Sequence, residues 1–377
     1  MAVYKLFPTK DASIYSKSGS MNTGIDEILD ASTYVEESKG QVNRYLLKFS
    51  DSELQSLVRD KKVEKVNLVN YAAVVTGLNT DNRLYAYPVS GAWDMGTGRE
   101  SNSPQTTNGV SWIWMTYSGS TQWQTESFDP YATASYTSSL IGGGTWYTGS
   151  NLGLNISESY QLFSYSNPID VNIDVTNTIM TWYSYSLDSS DGFPNDGLIV
   201  KQADSQEFIL DTSRQATFKY FSIDTHTIYP PHLDCKFYDY KFDTGSSTNT
   251  ILGTPTAFIS IYNNVGTYYS ESIPRFRVAA VPKYPDRQFL TSSYYTTNYY
   301  LPESQSLYAI KDTDTNEFVV NFDDTYTRIS ADSTSSYFDV YMHGLEPERM
   351  YTILFKTVID GVTKVFNEDI MFKVAKG

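Results

Sequence analysis

The sequence predicts an all-β protein built as two successive sandwiches, and three observations carry that expectation. Only 19% of the 377 residues are charged, while 15% are aromatic and 32 are tyrosine. β-Branched and aromatic side chains fit a pleated, half-buried surface, so this composition favours strands. Apolar and polar residues alternate in short runs, most plainly over 169–237, whereas helical spacing is rare. A chain of this length holds two domains, or three, each able to bury its own core.

The elements follow in order. Residues 3–7, 11–16, 28–35 and 43–49 read as strands, with a turn through 18–24. One short helix comes next. Ser50 or Asp51 can cap it, Glu53 stands at capping-box spacing from Ser50, and Leu54, Leu57 and Val58 repeat at helical spacing up to Lys61-Lys62. Residues 63–75 and 83–89 are strands again. The segment 94–150 differs, being rich in Gly, Ser, Thr and Trp. A long polar insertion on a rigid scaffold is where binding tends to reside. Its Trp112, Trp114, Trp123 and Trp146 are therefore the candidate ligand or partner surface. The competing reading has them cover the open end of the sandwich. Past the insertion, 169–175, 175–182 and 219–222 read as strands, with a turn through 193–200. His226 is expected on a strand that Pro230-Pro231 ends, since proline cannot donate to a ladder.

This puts a first sandwich at 1–242, a polar linker at 243–250 and a second sandwich at 251–377. In the second, 257–261, 275–279, 318–322 and 337–342 are strands, and 364–366 with 370–374 form a closing pair.

Candidate chemistry is sparse. A net charge of −15 without any basic run argues against a nucleic-acid partner. The single cysteine, Cys235, excludes an intrachain disulfide and reads as a small buried residue. Asp312-Thr313-Asp314-Thr315-Asn316-Glu317, with Asp323 beyond, imitates the start of a calcium loop. Glu317 stands where that loop needs glycine, however, so a hairpin turn explains the run better. Asp323-Asp324, and Asp188 with Asp191, read as solvated loop carboxylates, and His226, His232 and His343 lack zinc-site spacing. The triple glycine at 142–144 lacks the lysine and helix of a phosphate cradle. No catalytic residue, metal site or cofactor is expected, and the chain reads as non-enzymatic. The N-terminal residues 1–7 do not form a signal peptide and no stretch is long and apolar enough to span a membrane, so synthesis in a cytoplasm is expected.

Two local patterns resemble known folds. Gly344-Leu345-Glu346-Pro347, followed by Tyr351, resembles the tyrosine corner of immunoglobulin-like and fibronectin-type sandwiches. There a Tyr near the start of a late strand bonds back to the preceding loop, a role that falls to Tyr351. Four stretches resemble the DNRLRE-type β-sandwich, a jelly-roll-like module. They are Asp11-Ala12-Ser13-Ile14, Asn22-Thr23-Gly24, 44–49, and the 175–182 strand with its sequel Phe193-Pro194-Asn195-Asp196-Gly197. The chain as a whole, including 218–222, 224–231 and 284–289, resembles virion structural proteins of tailed bacteriophages. That resemblance implies a disulfide-free particle component, present in many copies, made in the host cytoplasm and located in the virion. Its partners would be other virion proteins of the neck, tail, baseplate or fibre, held by large Tyr-rich surfaces. The alternative is a carbohydrate-binding adhesin or host-recognition module in which the four Trp stack on sugar rings. A glycan-cleaving enzyme would require two carboxylates roughly 5–10 Å apart across a cleft.

Overall fold

The computed structural model describes residues 2–123, 132–134, 142–147, 159–245, 250–284 and 299–377. Two compact units emerge: Leu6–Cys235, and Lys236–Gly377 together with Met1–Lys5. The division thus falls between Cys235 and Lys236 rather than within 243–250. The physical reason is pairing. Lys241 O accepts from Ala331 N at 2.8 Å and Asp243 N donates to Ala331 O at 3.0 Å, so the second unit's sheet already holds residues expected to end the first. Within the expected linker, 246–249 lie outside the described residues.

In the first unit the main sheet is antiparallel. Its strands run in the order Tyr160–Phe163, Asn82–Pro88, Leu198–Gln202, Lys39–Phe49 and Pro8–Tyr15, and Thr33–Glu36 also pairs with Lys39–Phe49. A second sheet joins Ile28–Asp30, Thr217–Phe221 and Ala72–Thr76. In a third, Val63–Asn70 pairs with Val171–Asp174. The first two sheets meet through aromatic rings. Tyr45 lies 6.0 Å from Tyr220, and Phe163 lies 5.1 Å from Phe218. Cys235 is fully buried here, and burial pushes its thiol well above the usual range.

The expected helix is present as α1, Asp51–Lys61. The Ser50 side chain accepts from Glu53 N at 3.5 Å, and Leu54 and Leu57 are buried. The strand expected over 175–182 is instead a second helix, α2, Thr176–Leu187. Val175, Thr178, Ile179 and Trp182 are all buried, one face of a helix, and that face packs toward α1 and the Val63–Asn70 strand. Asp174 starts the helix, its carboxylate accepting from both the amide (3.0 Å) and the hydroxyl (2.6 Å) of Thr176. His226 lies in a bend, not on a strand. The expected strand 28–35 is broken after Asp30, whose carboxylate accepts from Ser32 N at 2.8 Å.

Among the described residues the second unit has two sheets. One orders Ala257–Ile261, Arg275–Pro282, Ser336–Asp339 and Ser330–Ala331. The other orders Thr267–Tyr269, Val362–Ala375, Met350–Ile359, Ser306–Asp312 and Phe318–Val320, with the first of these parallel to its neighbour. Phe338 stacks on Tyr308 at 4.3 Å and on Phe276 at 5.5 Å, closing the core between them. The expected closing pair is one strand, Val362–Ala375. A bulge interrupts it: the register passes from Phe355↔Phe366 to Ile353↔Ile370, and Asp369 adopts φ +52°. Both units are thus sandwich-like and predominantly antiparallel β.

Candidate functional site

The Trp-rich insertion folds back as core. Trp112, Trp123 and Trp146 are 3%, 1% and 3% exposed, and Trp114 is half-buried against Tyr117. The first three lie with Ala12, Ile14, Leu46 and Ile199 over one face of the main sheet. A Trp buries about 150–250 Å², so these rings contribute more as a cover for that face than as a platform in solvent. The four residues therefore do not form an open binding surface, and the reading in which they close the sandwich describes three of them. Within 94–150, residues 124–131, 135–141 and 148–150 lie outside the described residues.

The insertion is tied down by residues that the sequence had singled out as turns. The Asn22 side chain donates to Met95 O at 2.7 Å and to Val110 O at 2.8 Å. A Cβ on Gly24 would come within 1.9 Å of Met95 O, so only glycine allows that approach. On the far side, Trp93 Nε1 donates to Asp196 O at 2.8 Å, and the Asn195 amide donates to Phe49 O and to Asp51 Oδ1.

Beneath the Trp cover sits a buried ionic cluster. Arg44 meets Glu207 through two bonds, of 3.1 and 2.7 Å, and both side chains are fully buried. Lys201 reaches Glu207 at 3.1 Å and Asp204 at 2.5 Å. The Arg44 guanidinium lies 5.0 Å from the Trp112 ring and 5.3 Å from Trp146, and it donates to Gly143 O. Aromatic faces and a carboxylate together compensate cations that burial would otherwise penalise. The 142–144 glycines thus serve to let the chain pass over Arg44 and Trp112, where a Cβ on Gly143 would clash at 2.7 Å.

Where this cover ends, the same sheet face opens into a groove of about 540 Å³, lined by Asp81, Arg83, Tyr85, Tyr87, Asp204 and Arg214 among others. Arg83, Tyr85 and Tyr87 alternate along Asn82–Pro88, which places them on one face. Four rings run in series: Tyr160 to Tyr85 at 5.2 Å, Tyr85 to Tyr87 at 5.4 Å and nearly parallel, and Tyr87 to buried Trp146 at 5.8 Å. Burial raises the Tyr87 phenol, with Tyr85, Asp204 and Glu207 adding to the effect, so it stays protonated. Gln206 joins the two lips: it donates to Asp81 O at 2.9 Å and accepts from Arg83 N at 3.1 Å.

In the second unit the outward face of the Ala257–Ile261, Arg275–Pro282 and Ser336–Asp339 strands is aromatic and arginine-bearing. Phe258, 47% exposed, pairs across the strands with exposed Val281. Tyr262 is exposed, and Arg275 lies 4.0 Å from the Tyr337 ring while pairing with Asp339 at 2.8 Å. Neither this face nor the tyrosine groove was read from the sequence. The signal available was residue type at alternate strand positions.

The carboxylates considered for chemistry hold turns. Asp312 accepts from Arg349 at 2.6 and 2.8 Å and from the amides of Asp314 and Thr315, which holds its carboxyl below the usual range. That is a hairpin, as the sequence suggested. Asp323 accepts from Thr325 N, Tyr326 N and Lys236 Nζ, and Asp188 from the amide and hydroxyl of Ser190. His232 lies beside Asp234 at 3.3 Å. Among the described residues no group of three His, Cys, Asp or Glu is placed to hold a metal ion, and no helix is long and apolar enough to cross a membrane.

No family model matches the chain, and no curated protein matches it. Among solved structures it is similar to the adhesin domain of Epf from Streptococcus pyogenes at 8% identity, over 100% of this chain and 99% of that chain, with a TM-score of 0.19. A likeness that slight carries no argument about fold or ligand.

Proposed function

We propose that this chain is a non-enzymatic attachment protein: a structural component of a tailed-phage particle that holds its neighbours by surface complementarity. The observation that carries this reading is the outward face bearing Phe258, Val281, Tyr262, Tyr337 and Arg275. Aromatic residues and arginine are enriched where proteins bind one another. The resemblance in layout to virion structural proteins supports the same conclusion. We further infer a jelly-roll-like first sandwich and an immunoglobulin-like second one. The latter is supported by Tyr351, buried and donating to Glu346 O at 3.1 Å, the geometry of a tyrosine corner.

The test is incorporation. The chain should copurify with particles at a fixed ratio, and Phe258→Glu should lower that ratio at least tenfold while the protein still folds. Absence of the wild-type chain from purified particles would refute the reading. A second reading, recognition of a surface glycan, is supported by the tyrosine groove rather than by the tryptophans.

A further inference from the structure

We infer that the groove between Asp81–Arg83 and Asp204–Arg214 is a binding site for a neutral saccharide chain. This rests on the second reading above and names its site and ligand class. Three features support it. First, the size of about 540 Å³ lies within the ~300–1,000 Å³ of small-molecule sites. Second, the lining mixes charges: the carboxylates of Asp81 and of Asp204, the latter already held by Lys201 at 2.5 Å, stand with the guanidiniums of Arg83 and Arg214. A strongly anionic ligand would meet the two carboxylates, and a cationic one the two guanidiniums. A ligand that is uncharged, and hydroxylated enough to bond to both kinds of group, suits all four.

Third, the floor is rigid. Tyr87 stacks on Trp146, which lies 5.3 Å from both Arg44 and Lys201 and is 3% exposed. Gln206 is buried and fixes both lips, and Ala203 N donates to Arg83 O at 3.0 Å. A preorganised floor lowers the ordering cost of binding. Tyr85 and Tyr87 give the groove apolar bodies with hydroxyl tips, and Tyr160, 39% exposed, packs against Tyr85. A pyranose matches that combination, since it carries C–H faces for the rings and hydroxyls at its edge for Arg and Asp. Buried Trp146 thereby supports the groove from beneath without touching the ligand.

The experiment uses the full chain and isothermal titration calorimetry. Probes are linear hexasaccharides of glucose, mannose and N-acetylglucosamine, with heparin as an anionic glycan. Saturable binding of at least one neutral hexasaccharide is expected, weakened at least tenfold in Tyr85→Ala and in Arg83→Ala. Thermal unfolding by Trp emission reports whether each variant folds, and Arg83 is exposed, so its truncation leaves the core intact. If heparin alone binds, and both variants lose it, the neutral class is refuted while glycan recognition stands. If no glycan binds, or if both folded variants bind as well as the wild type, the groove is not the site. Incorporation into particles is read separately and is untouched by either result.

Discussion

Glu207→Gln isolates the buried ionic cluster. The substitution keeps shape but removes the carboxylate that Arg44 and Lys201 approach at 2.7 and 3.1 Å. Both cations are buried, and Asp204, 77% exposed, is screened by solvent. Breaking a buried pair by neutralising one partner costs about 3–5 kcal/mol. The Trp112 and Trp146 faces near Arg44 offset part of that, since a desolvated cation–π contact is worth up to about 2 kcal/mol. We expect a net loss of about 3 kcal/mol. For a unit of roughly 150–250 residues this lowers Tm by about 6–12 °C. All six Trp lie within Leu6–Cys235, so Trp emission follows that unit alone. In urea the midpoint should fall at constant m. A loss below about 1 kcal/mol would refute the claim that Glu207 compensates both cations.

Two further predictions concern stability. Burial holds the Asp11 carboxyl up at about 7, against about 3.9 in the unfolded chain. The native state keeps a proton that the unfolded state releases, so this contribution is fully present below about pH 4 and is lost as pH rises through about 7. At ~1.4 kcal/mol per unit the loss reaches about 4 kcal/mol. Asp11→Asn still accepts from Ile223 N and should abolish that part of the slope between pH 4 and 8 in urea melts; an unchanged slope would refute the assignment. Tyr351→Phe removes the bond to Glu346 O and should destabilise the second unit by about 1 kcal/mol. That unit contains no Trp, so calorimetry should register the change while Trp emission does not. Equal calorimetric stability would leave the corner without an energetic role.

Some local structure was legible because its cause is local. Ser50 and Glu53, with Leu54 and Leu57, specify α1 through a cap and a spacing, and both are present. The Asp312 hairpin and the Tyr351 corner depend on bonds to Asp314, Thr315 and Glu346, close in sequence. α2 was missed although its buried positions 175, 178, 179 and 182 follow helical spacing. Its Thr, Ile, Trp and Tyr content favours a strand, and the decision fell to what the apolar stripe packs against.

The sequence by itself determined the β-rich class, the capped helix, the buried Cys235 and the turns at Asn22-Thr23-Gly24 and Asn195-Asp196-Gly197. Each follows from composition, or from residues whose partners or conformations are largely prescribed by type. Tertiary structure alone decided that Trp112, Trp123 and Trp146 cover a sheet face, and that Arg44 meets Lys201 and Glu207 from a distant segment. It alone also left Tyr85 and Tyr87 lining a groove beside that cover, with Tyr160 against Tyr85. A tryptophan in a polar stretch carries the same local signal whether the chain folds back over it or not. What separates the two outcomes is long-range closure, and here the side chain of Asn22 holds the insertion against the sheet at Met95 and Val110.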